Sequence, residues 1–493
     1  MKWIDAFLDQ LTIYRVVLYY LIGLLGVAAI IATFGGLPFS PIDIPFCAAF
    51  LVTVCWVMNK VFASLFKAPT NPESSLITAL ILSLIVTPLH TIDNLFFLAG
   101  AGALAMASKY VLAVHRRHVF NPAAIAVVIT ALTMGNSASW WVGATIMLPA
   151  VLVGGILLMR RIRRVAMVTC FIGVALVSGA TVAFVNGADP ILALQQEFLN
   201  SALMFVGCVM LAEPLTSPTT KTKQIWYAIL TGALFPPQLH FGALYSTPEL
   251  VLLVGNIFTY VAGPRARILL RLKKRVQISH DSQELIFTPE KRLSYKAGQY
   301  MEFTFQHKHT DSRGARRFFT IASSPTEPDI HLGVKFYEPG SSFKRALGAL
   351  TSSRSIVASQ IGGDFTLPDN PEQRIVFIAG GIGITPYRSM LKYMIDTDQK
   401  RPVTLIYAAR TPEDIVFREI IETAQTKLGA NIIYATGDVH VDAGFIKSHV
   451  PDYQSCLFYI SGPHGMVVAL EDALTKLGLT QSHIRKDFFS GYA

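Results

Sequence analysis

One stretch of the sequence decides the fold of the carboxyl-terminal half: Ile375-Val376-Phe377-Ile378-Ala379-Gly380-Gly381-Ile382-Gly383-Ile384-Thr385-Pro386. Its apolar beginning predicts a buried strand, and the residues that follow it, 387–391, predict a helix. A strand that breaks into glycines before a helix directs free backbone N–H groups, and the positive end of the helix dipole, towards one point. This geometry suits the pyrophosphate of a dinucleotide.

Composition separates this half from the residues before it. The chain has 493 residues, 52% of them hydrophobic and 15% charged, and its mean hydropathy is +0.45. Soluble proteins carry about 25% charged residues. The charges are sparse up to about Gly263, which predicts a membrane domain followed by a globular one. The five cysteines contain no CxxC spacing, so neither a disulfide framework nor a metal site is predicted.

The apolar half contains segments of the right length to cross a bilayer, for which about 20 residues are needed. Ten segments qualify, some of them short: 15–35, 42–64, 75–89, 94–114, 121–135, 141–159, 165–185, 199–213, 225–241 and 248–263. Lys and Arg fall in alternate loops and after the last span. The positive-inside rule therefore predicts that both termini are cytoplasmic, in the cytoplasmic membrane of a prokaryote. Topology also explains the net charge of +10 better than nucleic-acid binding does.

Ten spans divide into two halves of five, and an odd number per half forces opposite orientations. In the third span a stretch from Ser75 runs through apolar residues to Pro88, and in the eighth a stretch from Ser201 runs to Pro214. Both are short and end at proline, in corresponding positions. Such pairs indicate an inverted repeat with a midplane binding site. Two ordinary helices that end at proline are the alternative.

The stretch His118-Val119-Phe120-Asn121-Pro122-Ala123-Ala124 resembles a segment of one membrane family. That family comprises flavin-carrying membrane components of the sodium-pumping NADH:quinone reductase and of the Rnf complex. The resemblance covers about residues 15–265 and implies a membrane-held flavin, FMN or riboflavin. Buried polar side chains in lipid need partners, and a flavin edge supplies them. The candidates to line it are Ser75, Thr78, Asn121 and Asn256; hydrogen bonds between helices are the alternative role for them.

Two further features of this half bear on function. The family carries FMN on the Thr of an S/T-G-A-T motif in an outer loop, and Ser178-Gly179-Ala180-Thr181 matches that motif. It lies within an apolar span, so a packing role of its small residues is favoured over covalent FMN at Thr181. Glu213, at the inner end of a span, either gates protons or sodium or extends to the interface.

The half after Val276 contains two kinds of pattern. Short alternating segments separated by turn residues predict an antiparallel β-barrel. After Pro371, strands alternate with helical stretches, which predicts a doubly wound α/β domain with a parallel sheet. The predicted domains are 1–270 for the membrane helices, 271–370 for the barrel and 371–493 for the α/β domain.

This order of domains resembles the ferredoxin–NADP reductase superfamily, and its motifs align across about residues 275–493. Arg316-Arg317-Phe318-Phe319-Thr320-Ile321-Ala322-Ser323 resembles the flavin signature. The resemblance implies that Arg317 neutralises the FAD pyrophosphate, Phe319 packs on the isoalloxazine and the Thr320 hydroxyl bonds its N5 edge. Ile321 and Ser323 complete that contact. The second pyrophosphate contact is Gly340-Ser341-Ser342-Phe343, whose small residues admit phosphate.

The resemblance also assigns the nucleotide site. Gly380, Gly381 and Gly383 would approach the NAD phosphates, and Thr385 and Pro386 would flank the nicotinamide. Ser461-Gly462-Pro463 stands where many relatives have Cys-Gly-Pro. Ser461 is therefore expected to position the nicotinamide and, with Thr320, to be catalytic. Arg410 lies near the adenosine ribose, but acidic residues follow it, so NADH is favoured and NADPH stays open.

Together these features predict an NADH dehydrogenase that reduces FAD in the cytoplasm and passes electrons through a membrane flavin. The expected acceptor lies on the outer side and carries a flavin or a metal. One alternative is a ferric-reductase type with haem, which needs paired axial histidines; the histidines at the span ends form no such pairs. The other alternative is a transporter with a regulatory reductase domain.

Overall fold

The chain is described by a computed structural model over residues 13–66, 72–114, 117–162, 164–242, 244–263, 268–305, 307, 311, 315–336, 340–352 and 354–487. It divides into two compact units, Met1–Arg265 and Ala266–Ala493. Each unit is built from its own elements.

The first unit is helical. Its helices are α1 (Ile13–Thr33), α2 (Asp43–Leu65), α3 (Pro72–Ile85), α4 (Ile92–Val111), α5 (Pro122–Met134), α6 (Leu148–Ile162), α7 (Val165–Val185), α8 (Pro190–Leu199), α9 (Leu203–Phe205, continued by a π-helix, Val206–Leu211), α10 (Lys221–Leu234) and α11 (Pro248–Ala262). Two-residue strands form two small hairpins, β1 (Ala113–Val114) with β2 (Arg117–His118), and β3 (His240–Phe241) with β4 (Leu244–Tyr245).

The number of membrane spans predicted from the sequence is not confirmed. Each of the ten predicted segments contains helix, but among the described residues five helices are long and apolar enough to cross a membrane. A sixth is obtained if Pro190–Leu199 and Leu203–Leu211, which are bent by 58°, count as one span. The apolar helices Glu73–Ile85, Pro122–Met134 and Pro248–Ala262 are shorter.

The helix ends in this unit follow from local chemistry. The side chain of Asn121 accepts the N–H groups of Ala123 and Ala124 and so caps α5, while Thr247 accepts the N–H of Leu250 and caps α11. Proline at the first turn of each helix needs no N–H partner. Helices α5 and α11 close the two predicted halves in corresponding positions, and they pack on each other.

The second unit begins with a six-stranded antiparallel sheet in the order β8-β7-β10-β5-β6-β9. Its strands are β5 (Ile268–Ser279), β6 (Ser282–Pro289), β7 (Tyr300–Thr304), β8 (Arg316–Thr320), β9 (Ile330–Lys335) and β10 (Ser355–Gly362), and a helix, α12 (Ser342–Gly348), adds Phe343 and Leu347 to their core. Strand β5 begins at Ile268, so the boundary predicted at 270/271 lies inside this strand.

A five-stranded parallel sheet in the order β13-β12-β11-β14-β15 follows. Its elements are β11 (Ile375–Gly380), α13 (Thr385–Asp396), β12 (Val403–Ala409), α14 (Arg418–Leu428), β13 (Asn431–Thr436), α15 (Ala443–His449), β14 (Leu457–Ser461), α16 (His464–Lys476) and β15 (Ile484–Asp487). Phe377 belongs to one core and Ile378 to another, because successive strand residues face opposite sides. Helices therefore cover both faces, as expected for a doubly wound domain.

The start of β5 makes a prediction about where the second unit can be cut. Residues Ile268–Arg271 pair with Ser355–Ala358 of β10, and Leu270 is fully buried. A fragment 266–493 should unfold cooperatively. A fragment 272–493 loses the buried side chains of Ile268 and Leu270. Because one buried Leu or Ile contributes about 1.5–3 kcal/mol, the unfolding free energy of the shorter fragment should be lower by at least about 3 kcal/mol. Denaturant unfolding measures this; equal midpoints and slopes would show that the pairing is dispensable.

Candidate functional site

Two predicted FAD contacts meet around one carboxylate. The Arg317 guanidinium, 3% exposed, lies with its Nη2 3.3 Å from Oδ1 of Asp311. The backbone N–H of Ser342 donates to Oδ2 of the same Asp311 at 2.9 Å. A guanidinium and a backbone N–H that share an anion are the donors that a phosphate needs. This donor set therefore fits the FAD pyrophosphate, with the Asp311 carboxylate standing in for a phosphate.

Aromatic rings surround this anion position. The ring of Phe319 lies 6.0 Å from that of Phe343 and 5.7 Å from that of Phe303. The Arg317 guanidinium lies 5.3 Å from the Phe343 ring, within cation–π range. Phe343 is fully buried, whereas Phe319 is half-buried. Phe319 thus keeps a face that a flat ring can pack against.

Four other predicted FAD residues are held by hydrogen bonds to residues around them. The N–H of Ile321 donates to the carbonyl of Gln299 at 2.9 Å, and the N–H of His331 donates to Oγ of Ser323 at 3.1 Å. Ser341 caps α12 by accepting the N–H of Lys344. Gly340 accepts a hydrogen bond from Arg345 at its carbonyl. These residues fix the two segments that carry Thr320 and Ser342.

The two predicted catalytic residues meet at a third one. The Thr320 hydroxyl donates to Oδ2 of Asp487 at 3.0 Å. Asp487 ends β15 in register with Ser461 at the end of β14, because the two strands are parallel neighbours. Thr320 and Ser461, 7% and 4% exposed, are thus linked through Asp487, which bonds Thr320 and lies beside Ser461 in the strand register. Sequence reasoning missed the role of Asp487, because the order of the parallel strands is decided by the tertiary structure.

The glycine stretch of the nucleotide site lies against the loop after β14. A Cβ placed on Gly383 would lie 2.5 Å from the carbonyl oxygen of Ser461, and one on Gly462 would lie 3.1 Å from Cα of Gly380. Gly381 has φ +53, in the left-handed region that favours glycine. Thr385 and Pro386 then start α13. Pro463, in the same loop directly before α16, has its Cδ 3.0 Å from a Cβ built on Gly380.

Arg410 is held by acidic residues. Its guanidinium lies 3.2 Å from Oδ2 of Asp281 and 3.3 Å from Oδ2 of Asp414. Burial raises the pKa of Asp281, but hydrogen bonds from Lys335 and Ser282 outweigh burial and leave that pKa below its usual value. Both the lysine and the arginine therefore face an ionised carboxylate.

The first unit contains a polar network at two of the predicted flavin residues. The backbone N–H of Asn121 donates to Oδ1 of Asn256 at 2.7 Å, and its amide donates to Oε2 of Glu213 at 2.9 Å. Thr216 donates to the same oxygen of Glu213 at 3.0 Å. Asn256 in turn donates to the carbonyl of Thr216 at 3.2 Å. The hydrogen bonds between helices that the sequence left open as an alternative are thus present.

An open cleft with a cavity volume of about 40 Å³ borders this network. The residues that line it are Val114, His118, Val119, Leu215, Thr216, Ser217, Pro218, Thr219, Asn256, Thr259, Tyr260 and Gly263. Ser75 and Thr78, on α3, are buried but are not among the described residues that line this cleft. Thr78 donates instead to the carbonyl of Ser74 in its own helix, at 2.8 Å.

Comparisons with known proteins concern the second unit. Residues 377–472 match the family model described as "Oxidoreductase NAD-binding domain". The chain is 26% identical to the glycine betaine monooxygenase reductase subunit of Chromohalobacter salexigens over 250 residues, which is 48% of this chain and 67% of that protein. It is also 26% identical to the NADH oxidoreductase HCR of Escherichia coli (strain K12) over 237 residues, 44% of this chain and 69% of that protein.

Among the solved structures, one match is the flavohem-like FAD/NAD-binding domain of nitric oxide dioxygenase from Vibrio cholerae. It has 18% sequence identity and a TM-score of 0.40, and it covers 46% of this chain and 99% of that one. The family match and the reductase relatives support a ferredoxin–NADP reductase-like FAD- and NAD-binding domain in the carboxyl-terminal half. The chain is a flavin-dependent NAD(P)H oxidoreductase.

The anion position gives a prediction for FAD binding. Arg317→Ala removes charge-assisted hydrogen bonds worth about 1.5–3 kcal/mol, so FAD should bind about 10- to 150-fold more weakly. Arg316→Ala is the matched control, because Arg316 pairs with Glu302 on the neighbouring strand. Titration of the FAD-depleted protein with FAD gives both affinities; equal values would remove Arg317 from the site.

Proposed function

We propose that this protein is a membrane-bound NADH dehydrogenase that reduces FAD on the cytoplasmic side and passes the electrons through a second, membrane-held flavin to an outer acceptor. The observation that carries the proposal is the meeting of Thr320, Asp487 and Ser461 beside the glycine turn, in a chain whose other unit is built of apolar helices. Such an arrangement would couple a nucleotide site to a bilayer.

In the proposed reaction, each residue of the site in the second unit has a separate role in binding FAD or in positioning the nicotinamide for hydride transfer. Arg317 and the Ser342 N–H would hold the FAD pyrophosphate, and Phe319 would cover the flavin ring. The Thr320 hydroxyl, oriented by Asp487, would stand at the flavin edge that receives the hydride. Gly383 and Gly462 let the glycine turn and the loop after β14 approach each other closely, and Ser461 would position the nicotinamide. Bound FAD accepts a hydride and releases single electrons.

The electron route requires a second carrier. A hydrocarbon core of roughly 30 Å separates a cytoplasmic FAD from the outer surface. We assign the carrier, FMN or riboflavin, to the cleft beside Asn256, which is also lined by His118, Thr259 and Tyr260. In the predicted topology this cleft lies at the cytoplasmic ends of its helices, so the flavin would take electrons from FAD there and start the route across the bilayer. A flavin ring has donors and acceptors along one edge, which such groups can satisfy. Asn121 would support the cleft through its bond to Asn256.

The proposed membrane topology is based on the distribution of Lys and Arg among the loops of the first unit. The chain would cross the cytoplasmic membrane of a prokaryote several times, with both termini inside. Its partners would be NADH, the lipid bilayer and an outer-side electron acceptor such as a flavinylated protein. Glu213, bonded to Asn121 and Thr216, would hold the polar network together at the inner end of α9.

Cofactor analysis of the purified full chain tests this function. Denaturation should release FAD and a second flavin, FMN or riboflavin, in equal amounts. Release of FAD alone would contradict the membrane carrier, and a Soret band in the absorption spectrum would favour a haem enzyme instead. A chain with both flavins that NADH does not reduce would favour a transporter with a regulatory domain.

The ion pairs of Arg410 predict a preference for NADH. Because Asp281 and Asp414 neutralise Arg410, a 2′-phosphate gains little from it, and kcat/KM should be higher for NADH than for NADPH. Asp414→Asn should raise kcat/KM for NADPH by about 3- to 10-fold, or about 0.7–1.4 kcal/mol. This is less than a full charge-assisted bond because Asp281 still pairs with Arg410. NADH kinetics should change less than about twofold.

Arg410→Ala is the control for this effect: in the Asp414→Asn background it should abolish the gain for NADPH. A gain that persists without Arg410 would show that the ribose site lies elsewhere.

The cleft predicts which membrane variant blocks outward transfer. Asn256→Ala should leave NADH-to-dye reduction intact, lower the content of the second flavin, and slow delivery to an acceptor sealed on the outer side of proteoliposomes. Thr78→Ala is the control, because its hydroxyl donates within its own helix and it is not among the described residues that line the cleft. The assignment is wrong if Asn256→Ala delivers electrons at the parent rate, or if Thr78→Ala alone blocks delivery.

A further inference from the structure

A buried arginine lies one turn into the helix that begins at the nucleotide site. Arg388 follows Thr385 and Pro386 on α13 and is 5% exposed. A guanidinium removed from water needs both an opposite charge and hydrogen bonds. Its Nη1 donates to Oε2 of Glu327 at 2.5 Å, and its Nη2 donates to Oε1 at 3.0 Å. Two parallel bonds to one carboxylate fix the plane and the direction of the guanidinium.

The same guanidinium holds the flavin segment. Its Nη1 also donates to the carbonyl oxygen of Ala322 at 3.0 Å, and Ala322 lies two positions after Thr320. The neighbouring Ser389 hydroxyl donates to the carbonyl of Ser323 at 2.6 Å. Two consecutive residues of α13, Arg388 and Ser389, thus bind two consecutive carbonyls, those of Ala322 and Ser323, just after β8.

The barrel side of this contact is itself fixed. The Ser324 N–H donates to Oε2 of Glu327 at 2.6 Å, so the carboxylate that binds Arg388 also closes the turn after Ser323. The Tyr295 hydroxyl donates to the carbonyl of Ser324 at 2.9 Å. His331 lies with Nδ1 2.8 Å from Oε1 of Glu284 and 3.3 Å from Nη2 of Arg388. The arginine therefore binds a rigid surface.

A second contact joins the start of α13 to the barrel. A Cβ placed on Gly333 of β9 would lie 2.6 Å from Cγ2 of Thr385, so the two segments approach closely here and a larger residue would require the Thr385 side chain to move. Thr385 and Arg388 are separated by about 4.5 Å of helix rise. The residue that would flank the nicotinamide and the residue that holds the flavin segment consequently move as one body.

We infer that Arg388 is a positioning residue for hydride transfer, which sets the nicotinamide end of α13 against the segment that carries Thr320. This inference rests on the hydride step proposed above. The distance between a hydride donor and its acceptor is decisive, since a misplacement of about 1 Å can cost about 100-fold in rate. Arg388 controls that distance from outside the reacting atoms, through Ala322 on one side and Thr385 on the other.

The side chain must be arginine for this role. Lysine keeps the positive charge but presents a single ammonium point, which cannot bind both oxygens of Glu327 and the Ala322 carbonyl in one plane. Arg388→Lys therefore retains the charge balance among Glu284, Glu327 and His331 while it loses the geometry. Glu327→Gln is the complementary variant, because it keeps the shape and removes the charge.

The experiment uses the full-length protein and four forms: the parent, Arg388→Lys, Glu327→Gln and the control Lys392→Gln. Lys392 lies on the same helix in an exposed ion pair with Asp396. Anaerobic stopped-flow mixing with NADH gives the rate of FAD reduction, the NADH affinity and the long-wavelength charge-transfer absorption. Reoxidation of dithionite-reduced FAD by ferricyanide reports on the flavin without the nucleotide.

Arg388→Lys should keep its FAD, bind NADH within about threefold of the parent, and reduce FAD at least about tenfold more slowly, as displacement of the reacting atoms requires. Its charge-transfer absorption should weaken, and reoxidation should be unchanged. Glu327→Gln should change in the same direction, and Lys392→Gln should match the parent.

Flavin reduction within about twofold of the parent in both Arg388→Lys and Glu327→Gln would overturn the inference. So would an equal loss in the reoxidation step, because that pattern marks general damage to the flavin site. If the parent itself is not reduced by NADH or NADPH, the proposed function fails, and that result is visible before any variant is compared.

Discussion

The close approach of two backbone segments at the carboxyl end of the parallel sheet is the constraint on which the second unit depends. Gly383 lies so near to Ser461 that a Cβ would collide with its carbonyl oxygen at 2.5 Å. Because a backbone carbonyl cannot rotate away as a side chain can, only glycine fits. The approach brings the start of α13, the end of β14 and the end of β15 to one edge, which is where parallel strands place ligand-binding groups.

The barrel contributes the other half of this site by similarly tight contacts. Thr320 reaches Asp487 across the two domains, and Arg317 and Ser342 share one carboxylate. A buried guanidinium such as that of Arg317 costs free energy when no anion lies beside it. The Asp311 carboxylate supplies that partner here, so the same arginine and N–H are directed to where a phosphate would lie. Binding of FAD would therefore exchange one anion for another.

In the first unit, the dominant constraint is the satisfaction of polar groups among apolar helices. Asn121 caps α5, binds Asn256 through its own N–H and binds Glu213 through its amide. One residue, through its side chain and its backbone N–H, thereby joins three segments that are far apart in sequence. An unpaired polar group in such surroundings costs several kcal/mol, and this explains why the network is closed on itself where it borders the cleft. Because Asn256 and Thr216 belong to this network and also line the cleft, its hydrogen bonds fix that part of the cleft wall.

The sequence by itself determined the elements whose signals are local. The glycine stretch after an apolar strand and the alternation of the barrel strands each depend on neighbouring residues, so the strand–turn–helix that begins at Ile375 and the antiparallel strands could be predicted directly. The family resemblance, carried by short motifs in order, predicted Arg317, Thr320 and Ser461 as parts of one site. Only the tertiary structure decided what these residues contact. Asp487 meets Thr320 because strand order places β15 beside β14, Arg388 meets Ala322 because α13 packs on the barrel, and Asn121 meets Asn256 because α5 packs on α11. Those partners lie between 66 and 167 positions apart, and no local pattern encodes a contact that arises when separate elements pack.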